Sequence, residues 1–126
     1  MEQEKPFQER RKYIRLKTSV EVNYTIIGEP GAVKVFSKNI SAGGICLLAN
    51  KEVVQNTPLQ LEFKIPDLKD PIRALGRVVW QKKFASVGEE TKISYDTGIE
   101  FTGISDFDRF NINRYVLDRV EPQAEK

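Results

Sequence analysis

Leu59-Gln60-Leu61-Glu62-Phe63-Lys64-Ile65 alternates apolar and polar side chains without a break. A strand turns successive side chains to opposite faces, so this stretch makes one apolar face and one wet face, as a half-buried β-strand does. Pro66-Asp67-Leu68-Lys69-Asp70-Pro71 closes it with turn residues. The same period recurs upstream in Val20, Val22, Tyr24 and Ile26, which precede the turn Gly28-Glu29-Pro30-Gly31. A second strand over Ala32 to Lys38, with Val33 and Val35 on one face, completes a hairpin. Ile45-Cys46-Leu47-Leu48 is a short continuous apolar run, expected to be covered on both faces. Downstream, Ile72 to Lys83 reads as a longer strand in which Gly76 marks a bulge or bend. Phe84 to Thr91 connects it to a last strand, about Lys92 to Phe101, interrupted by Gly98. Six or seven short strands at this spacing predict a sandwich or a small barrel.

The character changes after Phe101. Ser105 followed by Asp108 resembles a capping box, and Asp106 to Val120 contains no helix breaker. The apolar residues of this predicted helix fall on two sides: Phe107, Phe110 and Leu117 on one, Ile112, Val116 and Val120 on the other. Such a helix suits a wedge between the barrel and a second element, either the N-terminal arm or a second subunit.

Composition narrows the function classes. With 126 residues, 40% hydrophobic and 30% charged, the chain has the makings of one soluble globular domain. A net charge of +2 is too small to make the whole surface a nucleic-acid footprint, yet Lys5, Arg10, Arg11, Lys12, Arg15 and Lys17 crowd one end. Histidine is absent, which removes the usual neutral-pH acid/base and the commonest metal ligand. Cys46 is the only cysteine, so no intrachain disulfide and no thiolate metal cluster can form, and its apolar neighbours suit a buried thiol rather than a nucleophile. No secretory signal and no membrane-length apolar run is evident, so the expected compartment is cytoplasmic. Residues 1–9, polar and interrupted by Pro6, are expected to form a flexible arm, residues 10–120 the domain, and residues 121–126 a frayed tail.

Two polar stretches stand apart from this scaffold: Arg10-Arg11-Lys12-Tyr13-Ile14-Arg15 and Asn39-Ile40-Ser41-Ala42-Gly43-Gly44. The first fits either a helical turn or an extended segment. Its arginines offer planar forks that bind phosphate bidentately and also match guanine O6 and N7. The second offers an amide and a hydroxyl two residues apart, on the same side of an extended chain, and glycines that permit close backbone approach. Both have plainer explanations. The basic run suits a solvated arm or surface ion pairs with Glu2, Glu4 and Glu9, and Asn39 and Ser41 are common turn formers. Trp80, the lone tryptophan, suits core or rim packing as well as a stacking platform for a base.

Together and in this order, the two stretches resemble the PilZ domain family, whose signature is RxxxR followed, a hairpin later, by [D/N]xSxxG. Arg11 to Arg15 supplies the first motif and Asn39 to Gly44 the second. Gly76-Arg77-Val78-Val79-Trp80 and Gly98-Ile99-Glu100-Phe101 are similar to its later strands, so the resemblance spans about residues 8 to 120. It implies a mainly β fold, a six-stranded antiparallel barrel with a C-terminal α-helix. It also implies a non-catalytic receptor for cyclic di-GMP. Carried onto this chain, Arg11 and Arg15 contact phosphates and guanine Hoogsteen edges, Asn39 and Ser41 bind a guanine's polar edge, and Gly44 holds the turn. Arg10, just before the motif, is compatible with two intercalated ligand molecules. Asn39 stands where aspartate is commoner, and its single acceptor oxygen implies somewhat weaker binding.

The implied partners are cyclic di-GMP and a protein effector that reads the ligand-ordered arm. No cofactor beyond the ligand, no metal, no membrane span and no DNA or RNA partner is expected, and the chain is a monomer or weak homodimer. The competing class is a barrel that binds single-stranded nucleic acid through its basic end, which predicts steep salt dependence. An enzyme is disfavoured, because phosphodiester hydrolysis calls for a metal cluster or a histidine–carboxylate set.

Overall fold

The computed structural model describes residues 13–88 and 90–120. Seven strands and one helix follow in order: β1 (Leu16–Lys17), β2 (Glu21–Ile26), β3 (Val33–Ser41), β4 (Gly44–Ala49), β5 (Pro58–Phe63), β6 (Ile72–Ser86), β7 (Lys92–Gly103) and α1 (Asp106–Arg119). The hydrogen-bonded order is β3-β2-β5-β6-β7-β4, and β4 pairs with β3 to close the ring. Every pairing is antiparallel. The result is the six-stranded barrel expected, in which closure removes the exposed sheet edges that an open sheet leaves.

β1 runs along the same edge of β3 as β2 does, with Leu16 opposite Ile40 and Lys17 opposite Asn39. The break between them is stitched by Ser37. Its hydroxyl accepts from Val20 N at 2.8 Å and donates to Thr18 O at 2.6 Å. The entering segment is therefore continuous with the barrel wall, which fixes where Arg15 stands.

The inner faces supply the core. Val22, Ile40, Ile45, Leu47, Leu59, Leu61, Ile72, Val78 and Ile99 are all almost fully buried, as their alternation predicts. Phe63 and Phe101 stack inside at 6.2 Å between ring centroids. Ile112, Tyr115 and Val116 of α1 are buried too, while Phe107, Phe110 and Leu117 stay exposed, so the two-sided helix is real. Ser105 caps it, accepting from Asp108 N at 3.0 Å. The register shift between Leu75 and Gly76 is the bulge expected at that glycine.

Three local expectations change. Asn39, Ile40 and Ser41 belong to β3 rather than to a turn; only Ala42 and Gly43 connect Ser41 to its partner Gly44. Leu48 is half exposed, so β4 is covered on one face and only partly on the other. β6 runs on to Ser86, so Phe84 belongs to that strand rather than to the connection after it. Among the described residues no helix is long and apolar enough to cross a membrane, and no group of metal-ligating side chains gathers.

Candidate functional site

Ile40 and Leu16 point into the core, so Asn39, Ser41 and Arg15 lie on the outer face by simple alternation. Arg15 Nη1 donates to Asn39 Oδ1 at 2.6 Å. The basic run and the asparagine–serine stretch, 24 residues apart, thus meet through side chains.

Ser41 is buried, and its hydroxyl is occupied. It accepts from Gly43 N at 3.1 Å and Gly44 N at 3.2 Å, closing the two-residue turn. Tyr13 covers this turn, since a Cβ on Gly43 would stand 3.1 Å from its ring. On its other side Tyr13 meets α1: the Arg109 guanidinium lies 5.9 Å from the ring centroid, and Arg109 Nη1 donates to Ala42 O at 3.1 Å. Arg109 is a positioning residue that the sequence reading missed.

The pairing register builds the rest of the site. Asn39 pairs with Cys46, Cys46 with Gly98, and Gly98 with Trp80, so these four residues form one row across β3, β4, β7 and β6. Adjacent strands are about 4.8 Å apart, so the row spans roughly 14 Å between its end backbones. Its two central residues are small, so side chains along the row are low between Asn39 and Trp80. This trough is covered in part, since Cys46 is buried and the indole lies over Gly98. The Trp80 indole leans over Gly98, where its five-membered ring takes the place a Cβ would fill. Gly44 is equally constrained, because a side chain there would run into the carbonyl of Ile99.

Charged pairs flank the trough. Two residues along, the row Gly44–Glu100–Arg77 carries an ion pair in which Arg77 Nε and Nη2 both donate to Glu100 Oε1, at 3.1 and 2.9 Å. Two residues the other way, Leu48–Asp96–Lys82 forms the next row, and Lys38 Nζ donates to Asp96 Oδ2 at 2.7 Å. That hydrogen bond raises the Lys38 pKa above the usual lysine value. Phe84 lies beneath both Lys38 and Lys82, 5.7 and 5.6 Å from its centroid. Cys46, in the floor, has its thiol pKa pushed up by burial and by the Asp96 charge, while Lys38 and Arg15 pull it back. The floor thus feels charges from both ends.

Of the residues singled out from sequence, Arg15, Asn39 and Trp80 share this face, and Ser41 and Gly44 form the turn beside it. Arg10 and Arg11 lie outside the described residues. The sequence reading missed Lys38, Cys46 and Asp96, which only strand register brings to the site, and Arg109, which the docking of α1 brings there. A separate cleft of about 470 Å³ lies between residues 52–55 and the β6–β7 pair, lined by Val53, Gln55, Gln81 and Tyr95, with Trp80 on its border. It includes neither Arg15 nor Asn39.

The sequence model of the PilZ domain family matches residues 9–118, most of the chain. The protein belongs to the PilZ domain family. No curated protein sequence matches it. Solved structures with the same fold include the Bacillus subtilis inhibitor of motility MotI/DgrA, at 23% identity and a TM-score of 0.70, covering 93% of this chain and 53% of that one. The PilZ domain of Escherichia coli YcgR with c-di-GMP is 16% identical, with a TM-score of 0.69 and coverage of 91% and 94%. The Klebsiella (K. pneumonia) MrkH–c-di-GMP complex is also 16% identical, with a TM-score of 0.69 and coverage of 93% and 56%. The chain spans about half the length of MotI and of MrkH, and nearly all of the YcgR PilZ domain.

Proposed function

We propose that this PilZ protein is a non-catalytic receptor for cyclic di-GMP, with the trough between Arg15–Asn39 and Trp80 as its binding surface. The observation that supports it most is the 2.6 Å contact between Arg15 and Asn39, which unites the two motifs beside a floor of small residues. The chemistry suits a cyclic dinucleotide. Arg15, with Arg10 and Arg11 of the preceding segment, supplies charge for two phosphates and forks for a guanine Hoogsteen edge. Asn39 adds an amide for a base edge, and the indole over Gly98 offers a stacking surface. Ser41 and Gly44 act by holding the turn, because the Ser41 hydroxyl is already engaged there. Arg10 supplies a further fork suited to clamping a second, intercalated ligand.

Signalling follows from the same contacts. A ligand that draws Arg10 and Arg11 onto its phosphates changes the surface around Tyr13 and Arg109, which a protein effector reads. The compartment that fits this role is the cytoplasm, where such messengers act.

The test is isothermal calorimetry of the full chain with cyclic di-GMP, with GMP and a short single-stranded RNA as controls. Saturable binding of one or two molecules of cyclic di-GMP per chain, at least tenfold tighter than GMP, is expected. Tight RNA binding with a steep salt dependence, and none to the dinucleotide, would establish the single-strand reading instead.

A further inference from the structure

Asp96 is buried, its side chain 12% exposed, on the outer face of β7, and its Oδ1 has no hydrogen-bond partner. Its other oxygen is held by Lys38 at 2.7 Å. A buried carboxylate oxygen left unpaired is costly, and a chain that keeps one needs a reason for it. Among the described residues no donor reaches that oxygen. Asp96 stands on the face turned away from the core, between Leu48 and Lys82, in the row beside the trough. It is two residues from Gly98, the residue under the Trp80 indole, or about 7 Å along the strand.

The pair presents an ordered pattern: an ammonium donor on Lys38, then a shared carboxylate oxygen, then an unshared one. The Watson–Crick edge of guanine is its complement, with O6 as acceptor and N1–H and the 2-amino group as donors. Adenine is not, since its N1 lone pair would face the carboxylate. We propose that Lys38 and Asp96 together read the Watson–Crick edge of a guanine lying against Trp80, so that Asp96 is the specificity-determining residue for guanine over other purines. This rests on the receptor reading given above. The Phe84 ring, which carries both Lys38 and Lys82 over it, is part of the present cover of the pair. The incoming base replaces that cover, and the orphan oxygen gains its donor.

The roles of the two ends then differ. Arg15 responds to phosphate and to the O6/N7 side of a base, whereas Asp96 responds to the 2-amino group and N1–H. Calorimetry on the full chain separates them, using cyclic di-GMP, cyclic di-inosine monophosphate (which lacks only the 2-amino groups) and cyclic di-AMP. The parent should bind cyclic di-GMP at least tenfold tighter than the inosine ligand. Asp96→Asn should lose at least tenfold for cyclic di-GMP and bind the guanine and inosine ligands alike, with thermal unfolding still cooperative. Arg15→Ala should weaken all three ligands while leaving the order of preference intact. An Asp96→Asn variant that keeps the parent's affinity and preference overturns the assignment but leaves the receptor reading standing. Failure of the parent to bind any cyclic dinucleotide removes both. Should Asp96→Asn not fold, the ligand-side comparison decides: equal parent affinity for the guanine and inosine ligands overturns the assignment, and a tenfold preference supports it.

Discussion

The two faces of β4 and β7 follow opposite rules. Inside, Ile45, Leu47, Ile99 and Phe101 fill space with bulk, and each is almost fully buried. Outside, Gly44, Cys46 and Gly98 contribute little or no side chain, so the Trp80 indole and the Ile99 carbonyl lie close against the glycines, and polar side chains from other strands stand around them. The same two strands thus hold a core by volume and shape a trough by its absence. The difference teaches that stability and binding are separable here, because alternate residues along one strand serve different ends.

Substitutions on either face sharpen or break that separation. The largest effect belongs inside. Leu47→Ala should cost about 2–5 kcal/mol of stability through lost burial and a residual cavity, read by urea unfolding. Next comes Arg15→Ala, which removes charged hydrogen bonds of on the order of 1.5–3 kcal/mol each. Cyclic di-GMP affinity should fall roughly tenfold to a hundredfold, while the urea midpoint stays within the scatter of surface substitutions. If Arg15→Ala binds as the parent does, the trough is not the site.

Smaller effects test the floor. Gly98→Ala places a methyl where the indole now lies, so Trp80 must lift. A shift in Trp80 emission and a loss of about threefold to tenfold in affinity are expected, part of what base–aromatic stacking contributes. Cys46 is protected by burial and by its raised pKa, so at pH 8 less of it is thiolate than in a free cysteine. Alkylation should run about tenfold slower than for a free thiol, and slower again with ligand bound; a rate matching free cysteine would mean an open floor. The smallest change is Asn39→Asp, which adds a second acceptor oxygen and should tighten binding by about twofold to fivefold.

Much of the barrel was legible in sequence because its strands alternate in period 2, and the helix announced itself through Ser105 and an unbroken run. The end of β3 was not. Asn39 and Ser41 have the composition of a turn, yet the Ser41 hydroxyl ties down Gly43 and Gly44 and lets the strand run three residues further. The motifs at Arg15 and Asn39 were legible as residue types, and their contact was implied by the family pattern. The trough floor could not be read, because it depends on register between residues as distant as 46, 80 and 98. The Lys38–Asp96 pair, 58 residues apart, is hidden for the same reason.

Arg109 has a consequence for the order of assembly. It is carried by the last element of the barrel domain, yet it grips the Ala42 carbonyl and lies against Tyr13 at the entrance. A nascent chain halted before α1 emerges lacks that fastener, so the approach to the trough is left unbraced. Under the proposed receptor role, competence to bind ligand therefore follows the docking of this helix.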